Sequence, residues 1–135
     1  MAWENGLMDV GQMQSSGDMM SHQYKAVQLS TTNSALGTIV TATRGGPVSG
    51  IWQDNSTVAT FGAMRVLGVS KVAAGDSSGG TSAITIGTKL VASSAGQAVP
   101  STATGQALIG ISYGVLPSAS TGIIPVFLTL GALSS

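Results

Sequence analysis

Hydrophobic residues in this chain occur in short runs, and polar clusters rich in glycine, serine and threonine separate one run from the next. The longest run covers residues 63–72, where Met64, Val66 and Val72 alternate with residues of the opposite face. Alternation with a period of two is typical of a strand with one buried face. The runs lie at residues 24–30, 38–41, 48–52, 63–72, 89–92, 107–113 and 123–130. This pattern, with turn residues between the runs, predicts an all-β protein built as a small compact β-barrel or β-sandwich of short strands.

The helical alternative finds little support in the same pattern. No window of about 12 residues shows sustained apolar spacing at a helical period. One short helix could lie within residues 53–62 or 74–88, where the strand pattern is interrupted.

The first 20 residues differ from the rest of the chain. They contain three acids, no base and five of the six methionines, and glycines recur at Gly6, Gly11 and Gly17. Closely spaced glycines disfavour a long helix, and flexible methionine side chains suit contact with an irregular surface. We therefore expect an extended N-terminal arm at residues 1–20 and a single β domain at residues 21–135. The alternative is a frayed terminus.

Charge is scarce and balanced. Ten of the 135 residues are charged, which is 7%, against about 25% in ordinary globular domains. The formal net charge is zero, which argues against a nucleic-acid partner because such proteins carry a basic patch. The chain has no cysteine, so a disulfide framework and a thiolate metal site are excluded.

The mean hydropathy is +0.37, which raises the question of a membrane. The most apolar stretch, residues 122–133, is shorter than the roughly 20 residues that a spanning helix needs, and it contains Pro125. The N-terminus does not have the pattern of a secretory signal. We expect a soluble protein with no membrane partner, whose uncharged surface is partly buried against another protein.

Candidate chemistry is sparse. His22 is the single histidine, and neither a triad nor a zinc site can be built from it alone. Asp54 and Asp76 lie in polar loops, where aspartate usually bonds to nearby backbone amides. We therefore expect no catalytic, cofactor-binding or metal site, and no enzyme activity. Most of the six aromatic residues are assigned to core or subunit contacts; the six are Trp3, Tyr24, Trp52, Phe61, Tyr113 and Phe127.

Several stretches together resemble a known family. The N-terminus reads Met-Ala-Trp-Glu-Asn-Gly-Leu, and residues 24–29 read Tyr-Lys-Ala-Val-Gln-Leu. The further matching stretches are residues 65–75, 86–92, 96–99, 107–114 and 124–128. In this order the chain resembles the small capsid decoration, or head-stabilisation, proteins of tailed bacteriophages.

The resemblance implies a function. It implies a homotrimer at three-fold or quasi-three-fold positions on the outer surface of the virion, made in the host cytoplasm, that bridges subunits of the major capsid protein. The arm would contact the shell or an adjacent copy, and its expected contact residues are Trp3, Glu4, Leu7, Met8, Asp9, Met19 and Met20. The alternative is a head fibre or adsorption-type module that binds host surface glycans through exposed loop residues Trp52, Asp54 and Asn55.

Overall fold

The protein is all-β, as the sequence pattern predicts. A computed structural model describes residues 8–14, 19, 21–29, 39–41, 45–55, 61–75 and 82–135. This part of the chain contains ten strands and no helix. The strands are β1 (Met8–Gln14), β2 (Ala26–Leu29), β3 (Ile39–Thr41), β4 (Gly50–Trp52), β5 (Phe61–Leu67), β6 (Val69–Ala74), β7 (Lys89–Ala92), β8 (Ala98–Pro100), β9 (Leu108–Ser112) and β10 (Gly122–Leu128).

The strands form a sheet and a barrel. The sheet has five strands in the order β1-β5-β4-β2-β3, and all its pairings are antiparallel. The barrel is closed by five strands in the order β10-β6-β8-β7-β9. Its pairings are antiparallel except for β6 with β8, which meet in parallel at Ala74 and Ala98. The predicted compact β fold is therefore confirmed.

One bent strand connects the sheet to the barrel. The sequence predicts a single run over residues 63–72, and the structure divides it into β5 and β6 at Gly68. Gly68 has a φ of +92°, a backbone conformation that glycine adopts without the strain that a Cβ imposes. Its carbonyl accepts a hydrogen bond from the amide of Leu128 at 2.9 Å. The bend therefore turns the strand out of the sheet and against β10.

The sheet packs one face on the barrel. The main core consists of Ala26, Ile51, Val72, Ala74, Ile84, Leu90, Ala92, Ala98, Ile109, Leu116, Ile124, Val126 and Leu128. Ala26 and Ile51 come from the sheet, and the others come from the barrel strands and their connections. A second core lies on the opposite face of the sheet, around Val27, Trp52 and Met64. Each face of the sheet thus has its own apolar cluster.

The turn before β2 ties the two units together. The amide of Tyr24 donates to the carbonyl of Trp52 at 2.7 Å, and the amide of Ala73 donates to the carbonyl of Tyr24 at 2.8 Å. The amide of Ala26 donates to the carbonyl of Gly96 at 2.7 Å. Because Trp52 belongs to the sheet while Ala73 and Gly96 lie on the barrel side, this short segment holds both units in register.

The expected short helix is not found where the expectation can be checked. Within residues 53–62 and 74–88, the structure describes 53–55, 61–62, 74–75 and 82–88, and none of these is helical. The rest of both ranges lies outside the described residues. None of the described elements is a helix long and apolar enough to span a membrane.

Close approach of β9 to β10 gives a stability prediction. A Cβ added at Gly110 would lie 2.1 Å from the carbonyl oxygen of Phe127, so Gly110→Ala must push the two strands apart. We expect a loss of about 2–3 kcal/mol in the free energy of unfolding, measured by urea denaturation.

Gly105→Ala is the matched control. A Cβ at Gly105 meets nothing within 4 Å, but the residue has a φ of +82°. The control should lose only about 1 kcal/mol, the cost of the left-handed conformation. Equal losses in the two variants would contradict the close backbone contact.

Candidate interaction surface

Three neighbouring barrel strands present an apolar surface to the outside. Along β10, Ile124, Val126 and Leu128 point into the core, and the residues between them are exposed. The outward positions on β6, β10, β9 and the residues after β9 are Val69, Lys71, Ala73, Ile123, Pro125, Phe127, Ile111, Tyr113 and Val115. We call this set the outer barrel face. Eight of its nine residues are uncharged and largely apolar, and Lys71 is the exception.

The strand register builds this face as three rows. Phe127 pairs with Val69 on one side and with Ile111 on the other. Pro125 pairs with Lys71, and its carbonyl accepts a hydrogen bond from the amide of Tyr113 at 2.9 Å.

The third row follows from the same ladders. Ile123 pairs with Ala73, and the β9–β10 register continued past Tyr113 places Val115 beside Ile123. A Cβ built at Gly114 would lie 2.8 Å from Pro125 Cδ, which agrees with that continued register. The exposed side chains are therefore contiguous across the three rows.

An aromatic pair lies within the face. The rings of Tyr113 and Phe127 stack with centroids 6.2 Å apart and planes inclined by 27°. Tyr113 is 53% exposed and Ile123 is 58% exposed, which is unusual for apolar side chains on a sheet. The side chains of this surface are of the kinds found in a protein core, but no described residue covers them.

Both lysines near the face direct their ammonium groups away from its centre. The Nζ of Lys71 lies 6.0 Å from the ring centroid of Tyr24, within the range of a cation–π contact. Lys89 pairs with Ile111 at the edge of the face, and its Nζ donates to the Oγ of Ser135 at 2.8 Å. The apolar centre is therefore free of charge.

The other outward side of the barrel is also apolar, but it is buried. Leu90 and Ala92 point into the core, so Val91 between them points outward. Val91, Val99 and Leu108 nevertheless form a small buried cluster. The barrel is thus apolar on both of these outward sides, and of the two the described chain covers the one around Val91.

The structure pairs part of the predicted arm with the chain's own sheet. Residues Met8–Gln14 form β1, the edge strand beside β5. Asp9 and Arg65 form a bidentate ion pair. The Nε of Arg65 donates to the Oδ1 of Asp9 at 2.7 Å, and its Nη2 donates to the Oδ2 at 3.0 Å. Met8 pairs with Leu67, and both side chains are exposed.

This ion pair shifts the titration of both groups. The hydrogen bonds from Arg65, reinforced by its positive charge, lower the pKa of Asp9 below its ordinary value of 3.8, and partial burial opposes them. The same hydrogen bonds raise the pKa of Arg65. Charge-assisted bonds of this geometry favour the ionised forms of both partners.

Met19, another expected arm contact, lies in the second core. It is 3% exposed and packs with Val27, Trp52 and Met64, with Met13 at the edge of the cluster. The amide of His22 donates to the carbonyl of Met19 at 2.9 Å, a turn-type hydrogen bond between residues three apart in the chain. In the single chain, the Met19 side chain is therefore buried in the second core and does not face another molecule.

The expected exposure of Trp52 is wrong. Trp52 lies on β4, is 0% exposed and belongs to the second core. The ring fits because β5 carries glycine beneath it: a Cβ at Gly62 would lie 2.4 Å from Trp52 Cζ2. The indole N–H has no hydrogen-bond partner among the described residues, so apolar packing is the interaction that holds the ring.

The remaining expected contacts are placed as follows. Asp54 and Asn55 are exposed after β4, and the carboxylate of Asp54 accepts a hydrogen bond from the amide of Ala63. Trp3, Glu4, Leu7 and Met20 lie outside the described residues. The structure therefore does not bring Trp52, Asp54 and Asn55 together as an exposed aromatic site.

Sequence reasoning did not single out the outer barrel face. The sequence feature that indicates this face is the uninterrupted apolar run at residues 123–128. Such a run is typical of a strand buried on both faces. A half-exposed strand would alternate with polar residues. The described residues also contain no group of three or more histidine, cysteine, aspartate or glutamate side chains that could hold a metal ion.

Comparison with known proteins relates the fold to a solved phage structure. No protein-family model matches the sequence, and no curated protein matches it. The chain is similar to the crystal structure of the head fiber gp8.5 N base in bacteriophage phi29, with a TM-score of 0.68 and 14% sequence identity. The alignment covers 91% of this chain and 94% of that chain. This likeness shows a shared fold along nearly the whole length of both chains.

The buried position of Met19 predicts its role in stability. We expect Met19→Ala to lower the free energy of unfolding by about 2–4 kcal/mol, because it removes side-chain volume from a packed cluster. Met8→Ala is the matched control, since Met8 is 53% exposed, and it should change stability by less than about 0.5 kcal/mol. Urea denaturation followed by tryptophan fluorescence measures both. A neutral Met19→Ala would place Met19 outside the core.

The lowered pKa of Asp9 predicts a pH dependence. A carboxylate whose pKa is lower in the folded state stabilises the protein above its unfolded-state pKa, and the contribution disappears as pH falls through the folded-state value. Asp9→Asn should therefore cost up to about 1 kcal/mol at neutral pH, because the pair is partly exposed, and nothing below the lowered pKa. The same substitution in an Arg65→Gln background should have no such pH dependence. A dependence that persists there would have another origin.

Proposed function

We propose that this protein is a structural component of a bacteriophage virion that decorates and stabilises the exterior of the capsid. The observation that carries the proposal is the fold likeness to a phage head-fibre base along nearly the full length of both chains. The order of sequence stretches that resembles capsid decoration proteins supports it independently. In this role the protein bridges neighbouring subunits of the major capsid protein as a homotrimer at three-fold or quasi-three-fold positions.

The surface chemistry supports a role in assembly. Only 7% of the residues are charged, and the outer barrel face exposes contiguous apolar side chains. Interfaces that are permanent resemble a protein core more than ordinary surface does. A protein whose surface is mostly buried against its own copies and a capsid shell needs few charged residues on that surface.

The beginning of the chain is proposed to supply the contact with the shell. Residues 1–7 carry Trp3, Glu4 and Leu7 ahead of β1, so an apolar and acidic segment precedes the edge of the sheet. Several copies that each make a modest contact would hold the capsid firmly, because linked sites bind with a high effective concentration. Asp9 and Met19 instead hold the N-terminal segment on the sheet, because their side chains contact the chain's own sheet.

The second candidate is a head fibre or adsorption-type module that binds host surface glycans. The likeness to a head-fibre base favours it, and Tyr113 with Phe127 supplies an exposed aromatic platform. A glycan array with the isolated protein tests this candidate. Binding that Tyr113→Ser abolishes would favour it over capsid decoration.

A truncation tests the proposed shell contact. We expect deletion of residues 2–7 to weaken binding to capsids that lack this protein by about tenfold or more, measured by co-sedimentation. The urea unfolding curve should be unchanged, since β1 and Met19 are retained.

A variant with residues 2–7 in scrambled order is the control, because it keeps the length and charge of the segment. Full binding by the truncated protein would remove residues 1–7 from the shell contact. No binding by the full-length protein would overturn the proposed function itself.

A further inference from the structure

We propose that Tyr24, Arg65 and Lys71 form a contact site for a carboxylate group on another protein of the virion. We call these three residues the basic cluster. The inference rests on the proposed function for the identity of that protein, the capsid shell, and adds a second contact to the one proposed for residues 1–7. Its own evidence is the backbone conformation of Tyr24 and the hydrogen-bond donors that the three side chains leave unused.

Tyr24 has an unusual backbone conformation. Its φ is +65°, and Ala119 is the other described residue with a Cβ and a positive φ. For a bulky side chain this conformation is an outlier that costs free energy. Strained residues persist where the surrounding structure holds them, and they concentrate at functional sites. The strain therefore directs attention to what the Tyr24 side chain does.

The fold uses the backbone of Tyr24 rather than its side chain. The amide and the carbonyl of Tyr24 join the sheet to the barrel through Trp52 and Ala73, and a glycine would make both hydrogen bonds without strain. The ring belongs to none of the three apolar clusters in the described part of the chain. Its contact with the ammonium group of Lys71 is of a kind that contributes less at an exposed site than a left-handed conformation costs. Folding alone does not account for an aromatic residue at position 24.

Lys71 supplies a cation without an acid. Its side chain is exposed on β6, and its Nζ lies 6.0 Å from the ring centroid of Tyr24. In the described part of the chain, Asp9 forms its ion pair with Arg65, and Lys71 has no carboxylate partner. A carboxylate placed beside the Tyr24 ring can therefore accept a hydrogen bond from this ammonium group.

Arg65 adds further donors. Its Nε and Nη2 donate to Asp9, and its Nη1 has no hydrogen-bond partner among the described residues, although a guanidinium carries five N–H donors. The hydrogen bonds to Asp9 raise the pKa of Arg65, partial burial opposes them, and Tyr24 adds a smaller increase. The phenol of Tyr24 therefore lies near the guanidinium as well as near Lys71.

Charge selects the occupant. Arg65 and Lys71 carry two positive charges and Asp9 carries one negative charge, which leaves a local charge of +1 in a chain whose formal net charge is zero. One carboxylate neutralises this charge and accepts hydrogen bonds from ammonium and guanidinium groups. A nucleic acid needs a wider basic patch, whereas tyrosine and arginine are enriched among the residues that dominate protein–protein binding. An acidic side chain of a partner protein therefore fits the basic cluster.

Tyr24→Gly separates binding from folding. Because glycine adopts a positive φ without strain, we expect its midpoint of urea unfolding to be no lower than that of the wild-type chain. Its binding to capsids that lack this protein should be about tenfold weaker, measured by co-sedimentation. Tyr24→Asn is a second variant, since asparagine also tolerates this conformation. A clear loss of stability in both variants would give the ring a folding role and overturn the inference.

Lys71→Gln tests the charge. It should weaken capsid binding about tenfold and reduce the dependence of binding on salt, because exposed charges are screened. Lys89→Gln removes the same charge from an exposed lysine whose Nζ donates to Ser135, and it should bind as the wild-type chain does. The double variant Tyr24→Gly and Lys71→Gln should lose less than the sum of the single losses, since both residues contact one carboxylate. Equal losses in Lys71→Gln and Lys89→Gln would overturn the assignment.

An NMR titration tests the site without capsids. The full chain of 13.4 kDa is small enough for two-dimensional spectra, and the probe is a hexaglutamate peptide, with a hexaglutamine peptide as its control. We expect the first peptide to shift the signals of Tyr24, Arg65 and Lys71, and the second to leave them unchanged. Equal shifts with both peptides would overturn the recognition of a carboxylate.

The outcomes separate this inference from the proposed function. Capsid binding that Tyr24→Gly and Lys71→Gln leave at the wild-type level would overturn the inference and leave capsid decoration in place. A chain that binds the hexaglutamate peptide at the basic cluster, but that never binds capsids, would support a carboxylate site and overturn capsid decoration.

Discussion

The bend at Gly68 is the constraint on which the rest of the structure depends. It turns one almost continuous strand out of the sheet and into the barrel, so β5 and β6 share a covalent path but belong to different units. Beyond the bend, β6 pairs with β10 through six successive residue pairs, and this ladder places every second residue of β10 in the core. The outward residues of the same ladder become the outer barrel face. Core and interaction surface are therefore two sides of one strand pairing.

The N-terminal segment has a dual character that follows from its side chains. Its methionines and acids suit contact with another surface, and the structure shows that the chain's own sheet is one such surface. Met19 completes the second core and Asp9 pairs with Arg65. The segment also extends the sheet, because β1 pairs with β5 and is itself the outer strand on that side. The side chains of Asp9 and Met19 are thus engaged with the chain's own sheet, while the side chain of Met8 is exposed.

The low charge of the chain accounts for the chemistry of the outer barrel face. Surface lysines are few, and the two near the outer barrel face direct their ammonium groups toward Tyr24 and Ser135. Apolar side chains that an ordinary surface would dilute with charge are therefore adjacent to one another across three strands. Such a surface gains free energy when water leaves it, and the gain does not depend on ionic strength, as a contact between opposite charges does.

The sequence by itself determined that the protein is all-β, because period-two runs and turn clusters are local properties of neighbouring residues. It also contained, in the apolar run at residues 123–128, the signal that the two faces of the last strand are equally apolar. Only the tertiary structure decided the burial of Trp52, the pairing of Asp9 with Arg65 and the rows of the outer barrel face. These depend on pairings between residues far apart in the chain, such as Met64 with Trp52 and Phe127 with Val69. A one-residue change of register would exchange the faces of a strand, so composition alone cannot tell an exposed aromatic from a buried one.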